Sequence, residues 1–190
     1  AFADRFYQSA LRRSPAVIDY LKQRGVTGAM AKQYGLGHAP DSWDGLTREL
    51  RDRPAAERAG LLIERDNGGY FDRFHNRLMF PIRDTRGRTI AFGGRTLGDD
   101  KAKYLNSPET PLFHKSDHMY GLFEARQALR DLPRLLVVEG YMDVIALAQH
   151  GFPNAVATLG TATTESHLTT LFRHTQEVVF CFDGDAAGVR

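Results

Sequence analysis

The sequence predicts an α+β part over residues 1–133, followed by an α/β part with a parallel sheet over residues 134–190. Two patterns support this division. The first part carries apolar stripes at helical spacing and then two strand pairs joined by short turns. The second part alternates apolar runs of strand length with segments of helix length, which is typical of parallel strands with crossover helices.

Short helices are predicted for the first sixty residues. Ser14-Pro15 is a typical helix start, because serine caps free N–H groups and proline fits the first helical position. Thr27 is expected to cap another helix, and Trp43 is interpreted as a core residue rather than a platform for a base. The predicted helices cover residues 1–13, 15–24, 28–35 and 43–50, and Pro54 is expected to mark a break.

Two antiparallel strand pairs are predicted next. Asn67-Gly68-Gly69 reads as the turn of the first hairpin, and Gly93-Gly94 permits either close approach of a ligand or a β-bulge. Residues 98–118 are expected to form an irregular loop, and loops of that length are more often functional than idle. The predicted strands cover residues 61–66, 70–74, 77–83 and 88–92, and a helix is expected over 122–132.

The second part contains three predicted strands that are buried on both faces. Each is an apolar run, and each is followed by a segment of helical character. The strands cover residues 135–138, 155–159 and 178–182, and the helices cover 141–149, 163–174 and a segment beginning after Asp185. This order predicts a parallel sheet with right-handed crossovers.

Acidic residues follow two of these strands. Glu139 comes after the first strand, and Asp183 and Asp185 come after the third. Because the carboxyl ends of parallel strands form one edge of a sheet, the three carboxylates are expected to converge there. They would repel one another unless a cation joined them, and Mg2+ prefers oxygen ligands and keeps waters that a phosphate can replace. The pattern predicts a metal-assisted phosphoryl-transfer site.

These acids have other interpretations as well. Glu139 could be a carboxylate satisfied by the N–H groups at a helix start, and Asp183 and Asp185 could belong to an ordinary Asp-Gly turn. Asp143 lies four residues after Glu139, where it could bind the metal or orient a residue that does.

Composition places the chain among ordinary globular proteins. Of its 190 residues, 42% are hydrophobic and 25% are charged. No apolar run approaches the roughly 20 residues of a membrane helix, and no signal peptide is evident, so we expect a cytoplasmic protein with no membrane partner. The single cysteine, Cys181, lies in an apolar run, so it is expected to be buried and inert; one cysteine excludes a disulfide within the chain.

The charges are unevenly distributed. Residues 1–105 contain 19 Lys and Arg against 13 Asp and Glu, whereas residues 106–190 contain 6 against 10. A basic first part beside an acidic second part suits nucleic acid held against a metal site, although ordinary solvated surface would give the same counts.

The acidic motifs resemble those of a known family. Glu139-Gly140-Tyr141-Met142-Asp143, followed by Asp183-Gly184-Asp185-Ala186-Ala187-Gly188, is similar to the Toprim domain of bacterial DnaG-type DNA primases. The acidic motifs alone would also fit topoisomerases, some nucleases and recombination proteins. The resemblance extends upstream to the blocks Arg77–Asp84, Ala91–Arg95 and Lys103–Thr110, which narrows the choice to the primases.

The resemblance implies particular site residues. Glu139, Asp183 and Asp185 would be catalytic and would bind Mg2+ or Mn2+, with Asp143 as a further metal residue. Arg95, Lys103 and Lys115 match basic positions that contact nucleic acid or nucleotide, and Arg24 matches another through a weaker motif. Arg73 and Arg77 belong to the same basic block. The second part would be a Rossmann-like Toprim sheet, truncated at its C-terminal side.

The resemblance also implies a function. The parent protein would be a bacterial DNA primase at the replication fork, making short RNA primers on a single-stranded DNA template. Its partners would be that template, the RNA–DNA hybrid, ribonucleoside triphosphates and, through a region absent here, the replicative helicase. Zinc is expected only in an N-terminal domain of the parent that is also absent. We expect this piece alone to be weakly active or inactive.

Two alternatives remain at this stage. A Toprim nuclease would use the same metals to hydrolyse DNA, and a recombination protein would bind DNA without catalysis. The basic block over residues 73–103 favours the primase, because neither hydrolysis nor bridging calls for that particular set.

Overall fold

A computed structural model describes residues 2–160 and 162–182. The helices are α1 (Phe2–Arg12), α2 (Pro15–Gln23), α3 (Gly28–Gln33), α4 (Gly45–Glu49), α5 (Arg53–Arg58), α6 (Leu122–Ala128), α7 (Tyr141–Gln149) and α8 (Glu165–Phe172). The strands are β1 (Gly37–Ala39), β2 (Leu62–Glu64), β3 (Tyr70–Asp72), β4 (Arg77–Arg83), β5 (Thr89–Thr96), β6 (Tyr104–Asn106), β7 (Arg134–Val138), β8 (Ala155–Ala157) and β9 (Glu177–Phe180).

The first part is built on an antiparallel sheet with the order β1-β4-β5-β6, beside the small β2–β3 hairpin. Both predicted strand pairs are confirmed. The short strands β1 and β6 were not predicted, and β6 lies within the segment expected to be an irregular loop. Gly93 and Gly94 pair regularly with both neighbouring strands, and the register shift of the β4–β5 ladder lies at Ile82 and Arg83. The bulge interpretation of the glycines is therefore wrong.

The N-terminal helices follow most of the sequence signals. Ser14 precedes α2 as predicted, but its side chain makes no capping hydrogen bond. Thr27 caps α3 as predicted, because its hydroxyl accepts a hydrogen bond from the Met30 N–H at 3.3 Å. Pro54 does not mark a break: it lies in the first turn of α5, where its missing N–H costs nothing, and Asp52 caps that helix. The prediction that Trp43 lies in the core is wrong, because its side chain is 55% exposed. Its ring contacts that of His75, with the ring centroids 3.7 Å apart.

The second part is a parallel sheet with the order β8-β7-β9, which confirms the predicted strand direction. The predicted helix over 141–149 is confirmed at both ends by α7. The third strand is less buried than expected. Phe180 and Phe182 are 45% and 39% exposed and Cys181 is exposed, because β9 forms an edge of the sheet within the described residues. Asp183, Asp185 and the predicted last helix lie outside the described residues.

One apolar core connects the two parts. Its buried residues come from α2, β4, α7 and β8 alike. Tyr141, at the start of α7, stacks on Phe80 of β4 with ring centroids 4.8 Å apart, and its edge-to-face contact with Tyr120 is 4.7 Å. This shared core fixes the parallel sheet against the antiparallel one. Among the described residues, no helix has both the length and the apolar character needed to cross a membrane.

Candidate functional site

A cleft of about 420 Å³ lies where the carboxyl ends of β7 and β8 face strands β5 and β6. It brings together five of the residues predicted from the sequence, namely Arg24, Arg95, Lys103, Glu139 and Asp143. The remaining lining residues are Tyr104, Asn106, Gly140, Tyr141, Met142, Thr158 and Gly160. Three cationic side chains therefore share one cleft with two carboxylates.

The acidic side of the cleft is the turn from β7 into α7. Glu139 follows the last residue of the strand, and Asp143 lies in the first helical turn; both are exposed. Gly140 between them leaves space for a carboxylate, because a Cβ at this position would lie 3.1 Å from Asp143 Oδ2. The positive end of the α7 dipole also favours acids here. Strand end, glycine and helix start thus explain the spacing of the motif.

The basic side is organised by an aromatic ring. The guanidinium of Arg95 lies 5.1 Å from the ring centroid of Tyr20, and that of Arg24 lies 5.7 Å from it. Cation–π attraction holds both groups, but two like charges on one ring repel each other. Lys103 adds a third positive charge to the same cleft. A bound polyanion would relieve this repulsion.

Tyr104 lies between the two sides. Burial raises the pKa of its phenol, and the hydrogen-bonded guanidinium of Arg95 lowers that pKa by less. The carboxylate of Asp143 raises the same pKa and Arg24 lowers it, so charges from both sides of the cleft reach this one hydroxyl. The phenol stays protonated at neutral pH and can donate a hydrogen bond.

A hydrogen bond between Tyr141 and Asn106 crosses the cleft floor. The Tyr141 hydroxyl donates to Asn106 Oδ1 at 2.7 Å, and the Asn106 amide donates to the carbonyl of Leu159 at 2.9 Å. Burial raises the pKa of the Tyr141 phenol, so it remains a donor. Gly93 allows this arrangement, because a Cβ there would lie only 2.4 Å from the Tyr141 ring. The space that Gly93 leaves open is therefore occupied by the ring of Tyr141 rather than by a ligand.

Three predicted basic residues do not line the cleft. Arg77 is 2% exposed, and its guanidinium pairs with Asp100 and donates to the carbonyls of Ala102 and Gly94. It is engaged inside the protein, where it holds the loop that leads to Lys103. The structure thus gives Arg77 structural partners in place of the expected phosphate.

Arg73 and Lys115 also lie elsewhere. Arg73 is half-buried behind the cleft, where it donates to the carbonyl of Asn106 at 3.3 Å, and burial lowers its pKa. The backbone carbonyl of Lys115 accepts a hydrogen bond from the buried His167 ring at 2.8 Å, so this segment packs against α8. Neither residue shares the cleft with Arg24, Arg95 and Lys103.

The described carboxylates suit a hard divalent cation. Glu139, just before the N-cap of α7, and Asp143, in its first turn, line one cleft, and both offer oxygen donors. Among residues 2–160 and 162–182, no cluster of three or more His, Cys, Asp or Glu side chains could complete a metal site. Asp183 and Asp185, which follow β9 in the sequence, are the predicted additional ligands, and they lie outside the described residues.

Several residues in or beside the cleft were not singled out from the sequence. Tyr20, which contacts the two arginines without lining the cleft, shows nothing beyond the apolar stripe of a helix. Asn106 and Tyr141 lie inside the sequence blocks that resemble the primases, so the resemblance could have indicated them as site residues. Thr158 also lines the cleft and follows β8 as Glu139 follows β7. Its position after a parallel strand is therefore a sequence signal for a site residue.

Comparisons with known proteins agree with this fold. Residues 134–190 match the Toprim domain family, so the parallel sheet and its acidic edge define a Toprim-class protein. Residues 6–126 match the family described as DNA primase catalytic core, N-terminal domain. The chain belongs to this family of DNA primase catalytic cores.

The relatives at the level of sequence are DNA primases. The chain is 59% identical to the DNA primase of Pseudomonas aeruginosa over 98% of its own length and 29% of that protein's length. It is 50% identical to the DNA primase of Escherichia coli K12 over 96% of the chain and 32% of that protein. The chain therefore spans about a third of the curated relatives it matches.

Solved structures are similar over the whole described fold. A DNA primase domain from Pseudomonas aeruginosa superposes with a TM-score of 0.94 at 59% identity, covering 98% of this chain and 61% of that one. A DnaG primase catalytic domain bound to single-stranded DNA gives a TM-score of 0.92 at 48% identity, covering 98% and 60%. The RNA polymerase domain of Mycobacterium tuberculosis DnaG in complex with an overhanging DNA duplex gives 0.90 at 39% identity, covering 98% and 63%.

Proposed function

We propose that this chain is part of the catalytic core of a bacterial DNA primase, which makes short RNA primers on single-stranded DNA. The observation that carries the proposal is the cleft in which Arg24, Arg95 and Lys103 face Glu139 and Asp143. A triphosphate or a nucleic-acid backbone needs cations along it, and its reacting phosphate needs a metal held by carboxylates. The cleft offers both within one space.

In the proposed reaction, the 3′-hydroxyl of the growing primer attacks the α-phosphate of a ribonucleoside triphosphate. The new O–P bond forms as the bond to pyrophosphate breaks, and the hydroxyl proton leaves to a base or to water. Mg2+ or Mn2+ bound at this edge would supply charge neutralisation at the reacting phosphate. Glu139 and Asp143 would hold it, together with Asp183 and Asp185, which follow β9 in the sequence.

The basic side would bind and orient the anionic chain. Arg24 and Arg95, held against Tyr20, offer flat guanidiniums to phosphate oxygens, and the exposed Lys103 adds a mobile point charge. Contacts of this kind read no base, which suits an enzyme that copies many templates. Tyr104 can donate a hydrogen bond to an oxygen that reaches the centre of the cleft.

The proposed partners follow from this reaction and from the relatives. A related catalytic domain has been solved with single-stranded DNA and another with a DNA duplex carrying an overhang, which supports a DNA template as ligand. Ribonucleoside triphosphates and the RNA–DNA hybrid would occupy the same cleft. The replicative helicase would bind a part of the parent outside residues 1–190, and bacterial cytoplasm is the expected location.

One assay separates this proposal from its alternatives. The parent protein is incubated with a labelled single-stranded template, Mg2+ and ribonucleotides that carry a second label. Short RNA products that disappear when the ribonucleotides are omitted support the primase. Shortened template would indicate a Toprim nuclease, and bound but unchanged template would indicate a binding protein of recombination; either result contradicts the proposal.

A further inference from the structure

Helix α7 links the two sides of the cleft through its two ends. Its first turn follows Glu139 and carries Asp143 on the acidic side. Its last residue, Gln149, reaches the turn that follows Arg24 on the basic side. The Gln149 Oε1 atom accepts a hydrogen bond from the Thr27 N–H at 2.9 Å, and its Nε2 atom donates to the Gly25 carbonyl at 2.6 Å.

These two hydrogen bonds tie the turn after Arg24 to α7, in addition to the backbone hydrogen bonds that close the end of α2. Arg24 is the C-cap of α2, and Gly25, with φ +75°, turns the chain immediately after it. The side chain of Arg24 is exposed, so little packing fixes it apart from the ring of Tyr20. Fixing the carbonyl and the N–H on either side of Val26 therefore fixes the end of α2 from which Arg24 projects.

Only an amide side chain satisfies both groups at once. The Gly25 carbonyl needs a donor and the Thr27 N–H needs an acceptor, and glutamine offers one of each on the same planar group. Glutamate would place a second acceptor against the carbonyl, and lysine would lack an acceptor. The residue type at position 149 is thus explained by its two partners in the distant turn.

We propose that Gln149 is a positioning residue that holds Arg24 at a set distance from the acids, with α7 as the rigid spacer between them. This inference rests on the proposed function, because it takes Arg24 as a ligand for the phosphates of template or nucleotide. Gln149 itself touches neither, and it does not line the cleft.

The test is a pair of double-mutant cycles in the parent protein. Gln149→Met keeps the length of the side chain and removes both hydrogen bonds. Affinity for a labelled single-stranded oligonucleotide is measured by fluorescence anisotropy for this variant, for Arg24→Ala, for Lys103→Ala and for both double variants. Gln127→Met, at an exposed glutamine of α6 outside the cleft, is the matched control.

We expect Gln149→Met to weaken binding about three- to tenfold and Gln127→Met to leave it unchanged. Added to Arg24→Ala, Gln149→Met should weaken binding by less than about twofold further, because the residue it positions is already gone. When Gln149→Met is added to Lys103→Ala, the affinity should fall by the full three- to tenfold, because Lys103 binds independently of Gln149. A general loss of stability would lower binding equally in both cycles.

The outcomes separate the inference from the function beneath it. Equal losses in the two cycles, or no loss for Gln149→Met or for Arg24→Ala, would overturn the positioning role even if the parent makes primers. Coupling confined to Arg24 in a parent that makes no primer would keep the positioning role and refute the primase. Failure of the parent to bind the oligonucleotide at all would refute both.

Discussion

Tyr141 shows how a single residue connects the sequence motif to the geometry of the cleft. It lies within the block that runs from Glu139 to Asp143, yet it is buried and contacts the other sheet through Phe80, Gly93 and Asn106. The acids of the motif face the cleft while its tyrosine fastens the motif in place. Both roles are encoded within five consecutive residues.

We expect Tyr141→Phe to lower the free energy of unfolding by about 1–3 kcal/mol, because it leaves the Asn106 carboxamide oxygen without its buried donor. Urea denaturation followed by circular dichroism measures the change. Tyr70→Phe, in the small β2–β3 hairpin, is the control and should change stability by less than about 0.5 kcal/mol. Equal effects of the two substitutions would mean that the bond to Asn106 is not formed in solution.

At the scale of single residues, the sequence indicated the position of a side chain at a strand end better than the burial of long side chains. Glu139 could be placed because a strand end and a glycine leave few alternatives. Arg77 and Trp43 could not, because whether a long side chain turns inward depends on partners that are distant in sequence. Arg77 finds its partners at Asp100 and Ala102, and Trp43 contacts His75 with the two rings tilted by 37°.

At the scale of elements, β5 and α7 meet beside the cleft, where Gly93 lies against the ring of Tyr141. Gly93→Ala should push the ring of Tyr141 away and with it the start of α7, because the added Cβ would lie 2.4 Å from the ring. We expect a loss of about 1–3 kcal/mol in unfolding free energy, together with weaker binding of single-stranded DNA. Gly28→Ala is the control, since nothing lies within 4 Å of a Cβ at that position. An unchanged affinity for Gly93→Ala would contradict the proposed role of this contact.

The turn between β4 and β5 gives stability that depends on pH. Burial raises the pKa of Asp84, but hydrogen bonds from the N–H and guanidinium of Arg88 and from the N–H of Arg86 lower it by more, so the pKa lies below its ordinary value. Because the folded-state pKa is depressed, the stabilisation is present above the unfolded-state pKa and is lost as the pH falls through the folded-state value.

We therefore expect Asp84→Asn to cost about 1 kcal/mol at neutral pH and progressively less as the pH falls below 3.8. Thermal unfolding across a pH series measures the difference. Asp66→Asn, at an exposed aspartate in the turn of the other hairpin, serves as the control. A cost that stays constant down to strongly acidic pH would show that the charge of Asp84 is not what stabilises the turn.

Most elements could be predicted because their signals are local. The turn glycines, the Thr27 cap and the apolar runs of β7 and β8 depend on neighbouring residues only. The strands β1 and β6 have three residues each, and only their pairing with β4 and β5 defines them. The strands β2, β3 and β8 are equally short, but a hairpin turn or an apolar run indicates them in the sequence.

At the scale of the whole molecule, the uneven distribution of charge along the sequence corresponds to a cleft with a basic and an acidic side. Lys103→Ala should weaken binding of single-stranded DNA and reduce the slope of log affinity against log salt concentration by about 0.7, the share of one phosphate contact on a single strand. Lys101→Ala removes the same charge two residues away, outside the cleft, and should leave the slope almost unchanged. Equal slopes for the two variants would show a diffuse basic surface instead of a site.

The expectation that this piece is weakly active also belongs to the whole molecule. Glu139 and Asp143 alone do not make a complete metal site among the described residues, and a carboxylate cluster needs rigid supporting strands to hold an ion. The sequence predicts further acids at this edge because strand ends converge in parallel sheets, and Asp183 and Asp185 lie outside the described residues. It could not predict that Tyr20, from an N-terminal helix, would organise the basic side.

The central claim is that the acids of this edge carry out the chemistry while the basic side binds the polyanion. Glu139→Gln in the parent protein tests it most directly, because the substitution removes one charge at nearly constant shape. Primer synthesis from labelled ribonucleotides and affinity for the single-stranded template are measured on the same preparation. We predict that synthesis falls at least a hundredfold while template affinity changes less than about threefold. Near-normal synthesis by the variant would contradict the claim.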